Sequence, residues 1–243
     1  MRVRARWLSG LVAIMAVSAY PVVARPARYR FETMKIPDKA KTVLEYAVVE
    51  PAGFDPNRIY PALLAMPPGS QDRATTAAVL SRVWVDAARA RGWIVVSPVA
   101  PHGVLFFNGS ETFVPALLDR LEKRYHVEGG KWQLAGVSNG GLSAFRIAVL
   151  NPSRFASVTV FPGFAGDHDV QTKLASLKSI PVTMFVGGDD TSWVAGTQET
   201  AARLRAAGGT ATVEIRRGEG HIIANLTGAQ LFDVIDRARP PAR

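Results

Sequence analysis

LAGVSNGGLSAF, residues Leu134 to Phe145, sets one serine among three glycines with apolar residues on both sides. Gly136-Val137-Ser138-Asn139-Gly140 fits the pattern G-x-S-x-G. That pattern carries chemistry only where the serine sits on a sharp turn between a strand and a helix. KWQLAG before it reads as a strand, and the residues after it read as a helix to Leu150. The chain must then reverse steeply at Ser138 and hold the hydroxyl exposed. A side chain at Gly136 or Gly140 would collide with the neighbouring strand or helix, and Gly141 is expected to let the helix pack close to the sheet. The helix start also aims its amide N–H groups at the site, which favours a developing negative charge. An ordinary glycine-rich turn would account for part of this pattern, so the rest of the chain must decide.

Outward from this stretch, strands and helices alternate. TVLEYAVVEP, YPALLAM, GWIVVSPVAP, FASVTVF, SIPVTMFVGG and TATVEIRRG read as strands. Between them, residues 75–91 carry apolar positions at helical spacing. TFVPALLDRLEKRY, GTQETAARLRAAGG and AQLFDVIDRARP also read as helices. Short, near-continuous apolar strands alternating with helices predict an α/β fold: a mostly parallel sheet with helices on both faces. Ligand sites of such sheets lie beyond the carboxyl ends of the strands.

A serine hydroxyl needs a base to take its proton. Of four histidines, His221 is the best placed, in the loop RRGEGHII after TATVEI and before the last helix. His126 precedes the serine's own strand and belongs at the opposite end of the sheet. His102 follows a strand on the correct edge but precedes the serine in the chain. The base in turn needs a carboxylate to fix its tautomer. VTMFVGGDDTSWV offers Asp189 and Asp190 at a strand end, of which one should face the histidine. Asp167 and Asp169, flanking His168, are a second possibility one strand earlier.

The order serine, acid, histidine is the one found in α/β-hydrolases. The chain resembles a small α/β-hydrolase of the esterase, polyhydroxyalkanoate-depolymerase-like group. The likeness rests on YHVEGGKWQLAGVSNGGLSAFRIAVLNPSRFASVTVFPG around the serine, on FVGGDDTSWV and on GEGH, and it spans most of Tyr60 to Asp236. It implies an α/β-hydrolase fold with catalytic Ser138, Asp190 and His221. The acid loops of the group carry a glycine three residues before the acid; Gly187 in that place selects Asp190 over Asp189.

Two donors should hold an oxyanion. One is expected from the N–H of Asn139, the other from the loop after YPALLAM. Members of the group often carry His-Gly there, whereas this chain has Met66-Pro67-Pro68-Gly69-Ser70-Gln71. Proline has no N–H, which leaves Gly69 or Ser70, with Gly69 favoured. Phe106, Phe107 and Trp193 are expected to line the substrate site; Leu105 and Phe164 are further candidates. No insertion is long enough for a large lid.

The remaining composition narrows the function classes. The 243 residues contain no cysteine, which excludes disulfides, a thiol nucleophile and thiolate metal sites. The reading calls for no cofactor and no metal. MRVRAR followed by an apolar stretch ending near Ala24 reads as a cleaved export signal over residues 1–24, with one domain over 25–243 and a secreted or periplasmic destination. The segment would tie the chain to a membrane only if retained. Removing its three arginines leaves about +6 of the formal +9 charge. The basic residues that remain are scattered without interleaved aromatics, which excludes a nucleic-acid footprint. The expected partner is an ester, small or polymeric. A prolyl-oligopeptidase-like serine peptidase and a non-catalytic binding protein on the same fold are the alternatives.

Overall fold

The computed structural model describes residues 28–239; the expected export signal at 1–24 lies outside them. Eight strands form one sheet: β1 (Arg30–Lys35), β2 (Val43–Val49), β4 (Ala62–Met66), β5 (Ile94–Pro98), β7 (Trp132–Gly136), β8 (Phe155–Val160), β9 (Val182–Gly187) and β10 (Ala211–Arg216). Their order is β1-β2-β5-β4-β7-β8-β9-β10. β1 and β2 pair antiparallel, β2 runs antiparallel to β5, and every pairing from β5 to β10 is parallel. A separate two-stranded ribbon joins β3 (Ile59–Tyr60) to β6 (His126–Val127).

The central strands β4, β5 and β7 are buried along their whole length. Side chains alternate across a strand, and the core divides accordingly. Leu64, Met66, Val96 and Leu134 point into one apolar cluster; Leu63, Ala65, Val95 and Ala135 point into the other. The first cluster is covered by α3 (Val114–Glu122), α4 (Asn139–Leu150) and α6 (Thr191–Ala206). The second is covered by α2 (Val85–Arg91) and α7 (Gly228–Arg237). The outer strand β10 is mostly exposed, and its residues Thr212, Glu214 and Arg216 supply the polar surface an edge requires.

Several elements differ from the sequence expectation. β1, RFETMK, is a partly buried edge strand whose charges hide its period. The helix expected over 75–91 is broken into α1 (Arg73–Val79), a π-helical turn at Leu80–Trp84 and α2. α6 starts at Thr191, directly after Asp190, rather than at Gly196, and this puts Trp193 on its first turn. A short helix, α5 (His168–Thr172), fills the link between β8 and β9.

At the carboxyl edge of the sheet, the connections after β4, β7, β8, β9 and β10 converge. Two of them are very short: Val137 and Ser138 between β7 and α4, and 188–190 between β9 and α6. Short connections between buried strands and helices hold their side chains with little freedom.

Candidate active site

Ser138 turns the chain from β7 into α4 with φ 56° and ψ −121°, a left-handed conformation that a non-glycine residue holds at a cost of order 1–3 kcal/mol. The glycines around it make this turn possible. A Cβ on Gly136 would lie 2.0 Å from the carbonyl oxygen of Gly140, and one on Gly140 would lie 2.1 Å from that of Met66. Gly141 acts differently from the sequence expectation. Its closest neighbour is the Pro162 carbonyl, 2.3 Å from a would-be Cβ, so it admits the loop after β8 and not the sheet itself. That same carbonyl accepts the Ser138 N–H at 2.9 Å.

The three residues singled out from the sequence meet here. Ser138 Oγ lies 2.8 Å from His221 Nε2, and His221 Nδ1 lies 2.6 Å from Asp190 Oδ2. Asp190 exposes 15% of its side chain and His221 41%. The neighbouring Asp189 is exposed and turned away, and its N–H donates to the Glu219 carbonyl at 3.0 Å. Asp167 caps α5 through the Val170 N–H, while Asp169 pairs with Arg146 and Lys173; neither reaches His221. His126 lies in β6, on the ribbon before β7, and His102 is exposed in the turn after β5.

The loop carrying His221 is held by a residue the sequence reading passed over. Glu219 is nearly buried, and its two carboxylate oxygens accept the N–H groups of Ala224 at 2.9 Å and Asn225 at 3.1 Å. These bonds close the loop across His221. They also hold the Glu219 carboxyl below its ordinary pKa, since they favour the charged form, the Ala224 bond most. Acid followed by Gly-His in GEGH was the available signal, but the carboxylate had no partner visible in sequence.

Asn139 is the first residue of α4, so its N–H is one of those without an intrahelical acceptor. Its side chain amide donates to the Gly69 carbonyl at 2.9 Å. Gly69 itself has φ +58°. The turn from Pro67 to Gln71 is therefore tied to the residue after Ser138. Beneath it, Gln71 is fully buried, donates to the Pro67 carbonyl and to Ser143 Oγ, and accepts the Phe106 N–H at 2.8 Å. Ser143 passes the chain of bonds on to the Asn139 carbonyl at 2.8 Å. The Ser70 hydroxyl donates to Asp72, the N-cap of α1.

The aromatic residues behave differently from one another. Trp193 stands edge-to-face with the His221 ring, centroids 4.6 Å apart, and with Phe164 at 4.9 Å. Phe106 is a correction: it is wholly buried in the core, and what it gives the site is its backbone N–H to Gln71. Phe107 is half-buried and does not line the site's cavity. That cavity, about 390 Å³, opens beside Ser138 and His221. Its apolar wall comes from Val79 and Val83 on one side and Ile222, Ile223 and Leu226 on the other, with Val137 and Phe161 between. The sequence signal was the pair Ile222-Ile223 beside the histidine. Ile222 remains 69% exposed, which a core residue would not.

No family model matches the sequence, and no curated protein matches it. Solved structures do match in shape. A ferulic acid esterase superposes with a TM-score of 0.65 at 19% identity, covering 87% of this chain and 98% of its own. A thermostable esterase gives 0.65 at 19% identity, over 78% of this chain and 55% of its own. The fold is that of the α/β-hydrolases. A dipeptidyl peptidase 4 from Porphyromonas gingivalis shares it, with a TM-score of 0.63 at 15% identity over 85% of this chain. The chain spans about half the length of that thermostable esterase and 34% of the peptidase.

Proposed function

We propose that this chain is a serine hydrolase of carboxylic esters, with Ser138 as nucleophile, His221 as base and Asp190 as the group orienting the histidine. The observation that carries the reading is the linear contact from Ser138 Oγ through His221 to Asp190, at 2.8 and 2.6 Å, at the end of an α/β-hydrolase sheet. His221 Nε2 takes the serine proton as Oγ attacks the ester carbonyl. Asp190 accepts from Nδ1–H, so that Nε2 is the free base, and it stabilises the imidazolium that forms. The Asn139 N–H at the start of α4 faces the developing oxyanion. The second donor is assigned to the Gly69 N–H, since the Gly69 carbonyl is tethered to the Asn139 side chain. His221 then gives its proton to the leaving alcohol. A water deprotonated by the same nitrogen hydrolyses the acyl-enzyme.

Turnover of p-nitrophenyl esters by the purified protein tests this. Ser138→Ala is expected to remove at least a thousandfold of kcat; turnover equal to wild type would end the assignment. Labelling of Ser138 by a fluorophosphonate separates an enzyme from a binding protein on the same fold.

A peptidase reading is supported by the likeness in fold to dipeptidyl peptidases. The same machinery acts on amides, and aminoacyl amides assayed beside the esters decide between them. The likeness in fold to a ferulic acid esterase of similar length supports placing the chain among small esterases, and the basic, apolar start of the sequence supports export.

A further inference from the structure

We propose that the cavity beside Ser138 is a specificity site for one arm of the ester, an apolar arm that ends in an anionic group held by Arg82. This rests on the ester-hydrolase reading and names its substrate class.

The helix wall of the cavity is a single stripe. Thr75, Ala78, Val79, Arg82 and Val83 line the cavity, spaced three and four residues apart as one helix face requires. Residues of the opposite face, Thr76, Leu80 and Trp84, are buried in the protein. The stripe is apolar through its middle, yet Arg82 stands on it. No acidic residue lines the cavity, and Arg82 makes no ion pair among the described residues. The arginines nearest in sequence are all engaged: Arg73 with Glu45, Arg89 with the Glu50 carbonyl, Arg91 with Asp233 and Asp236. Arg82 is exposed at the edge of the apolar wall, and the acid one turn further on, Asp86, is engaged by Arg28; a guanidinium so placed is complementary to a carboxylate, phosphate or sulfate delivered on an apolar stem.

The turn that carries Arg82 is the π-helical segment Leu80–Trp84, the kind of widened turn that recurs at functional sites. It is wedged in place. Gly228, at the start of α7, has the Val83 carbonyl 1.8 Å from a would-be Cβ, so no side chain fits between the two helices. The segment Ile222 to Leu226, immediately before α7, is thereby brought over the stripe and closes the second wall.

The geometry also sets a length. Thr75 is at the oxyanion end of the stripe, its Cγ2 3.7 Å from a would-be Cβ of Gly69. Arg82 is seven residues further on, about 10 Å along the axis at the usual helical rise. A medium-length arm lies along that stripe, and a cavity of about 390 Å³ holds it.

Two matched ester pairs test the proposal. Monomethyl suberate is compared with methyl octanoate, placing the anion on the acyl side. The acetate ester of ω-hydroxyoctanoate is compared with octyl acetate, placing it on the alcohol side. In at least one pair the anionic ester is expected to have the higher kcat/KM, by roughly fivefold, as fits one partly exposed ion pair. That ratio falls toward one in Arg82→Gln, is largely restored in Arg82→Lys, and shrinks in half-molar salt. Thermal melts of both variants establish that they fold. A ratio at or below one in both pairs overturns the proposal, and so does a preference that survives in Arg82→Gln. If none of the four esters is hydrolysed by a folded protein, the ester-hydrolase reading itself has failed, which is a different result.

Discussion

Gly187 lies directly under the carbonyl of Gly220: a Cβ on Gly187 would sit 2.0 Å from that oxygen and 2.4 Å from the Glu219 oxygen. The strand end that leads to Asp190 and the loop that carries His221 are thus in backbone contact, and the Asp189 N–H to Glu219 carbonyl bond fastens them at 3.0 Å. Gly187→Ala must push the two apart, because neither neighbour is a side chain that could swing away. A shift near 1 Å is enough to cost about a hundredfold in rate when it moves aligned groups. The variant is expected to lose about that much kcat on p-nitrophenyl acetate with a smaller change in KM. Steady-state kinetics on a variant verified as folded by circular dichroism measures it.

The two adjacent aspartates make a sharp comparison. Asp190 Oδ2 faces His221 Nδ1, while Asp189 is exposed and contributes only its backbone N–H to the same region. Asp190→Asn presents an amide where a carboxylate accepted the Nδ1 proton, so it favours the wrong tautomer and leaves the imidazolium unsupported. A loss of about a thousandfold to ten-thousandfold in kcat is expected. Asp189→Asn is expected to stay within about twofold of wild type, since surface changes away from such contacts have small effects. Equal losses in the two variants would contradict the assignment of roles.

Much of this site was legible in the residues themselves. Gly136 and Gly140 announced the turn because sterics admit no side chain at those places, and Ser138 stands between them despite its strained backbone. Strand-end acids and a glycine-flanked histidine followed from strand periodicity. What escaped was set by tertiary packing. Phe106 looked like a site aromatic because it sits in a loop, but the loop folds inward and the ring is buried. Arg82, Val79 and Val83 read as one side of an ordinary helix. Only the π-helical turn and the approach of Gly228 show which side faces the site. Likewise Trp193 reaches His221 because α6 begins at Thr191, directly after Asp190, whose carboxylate makes no capping bond and faces His221 instead.

The carboxylate that closes the histidine loop should show itself in acid. Glu219 is held below its ordinary pKa by the N–H groups of Ala224 and Asn225. A group depressed in the folded state stabilises it fully above the unfolded value, near 4.3 for glutamate, and loses that effect as pH falls through the folded value. Glu219→Gln is therefore expected to lower the melting temperature at pH 7, with the gap to wild type closing as pH drops below about 4. Its kcat at neutral pH should fall as well, because the loop bearing His221 is no longer fastened at both oxygens. Melting curves at pH 7 and pH 3 read the first effect. A constant gap at both pH values would show that charge plays no part.

Gln71 makes the last and most severe test of how the oxyanion loop is built. Its buried side chain has a partner for each polar atom: the Pro67 carbonyl, Ser143 Oγ and the Phe106 N–H. Gln71→Leu keeps much of the volume but strands the Phe106 N–H and the Pro67 carbonyl away from water. Each buried group left without a partner costs about 1–3 kcal/mol, so an overall loss of roughly 2–4 kcal/mol is expected by urea denaturation. The same change loosens the turn that Gly69 belongs to, and the role proposed for Gly69 is to hold the oxyanion alone. Its signature is thus a fall in kcat with KM nearly constant. Gln71→Glu preserves the acceptor to Phe106 N–H but loses both donated bonds, and it should lie below wild type on both measures. If Gln71→Leu loses stability while kcat stays at the wild-type value, the loop does not position the oxyanion donor.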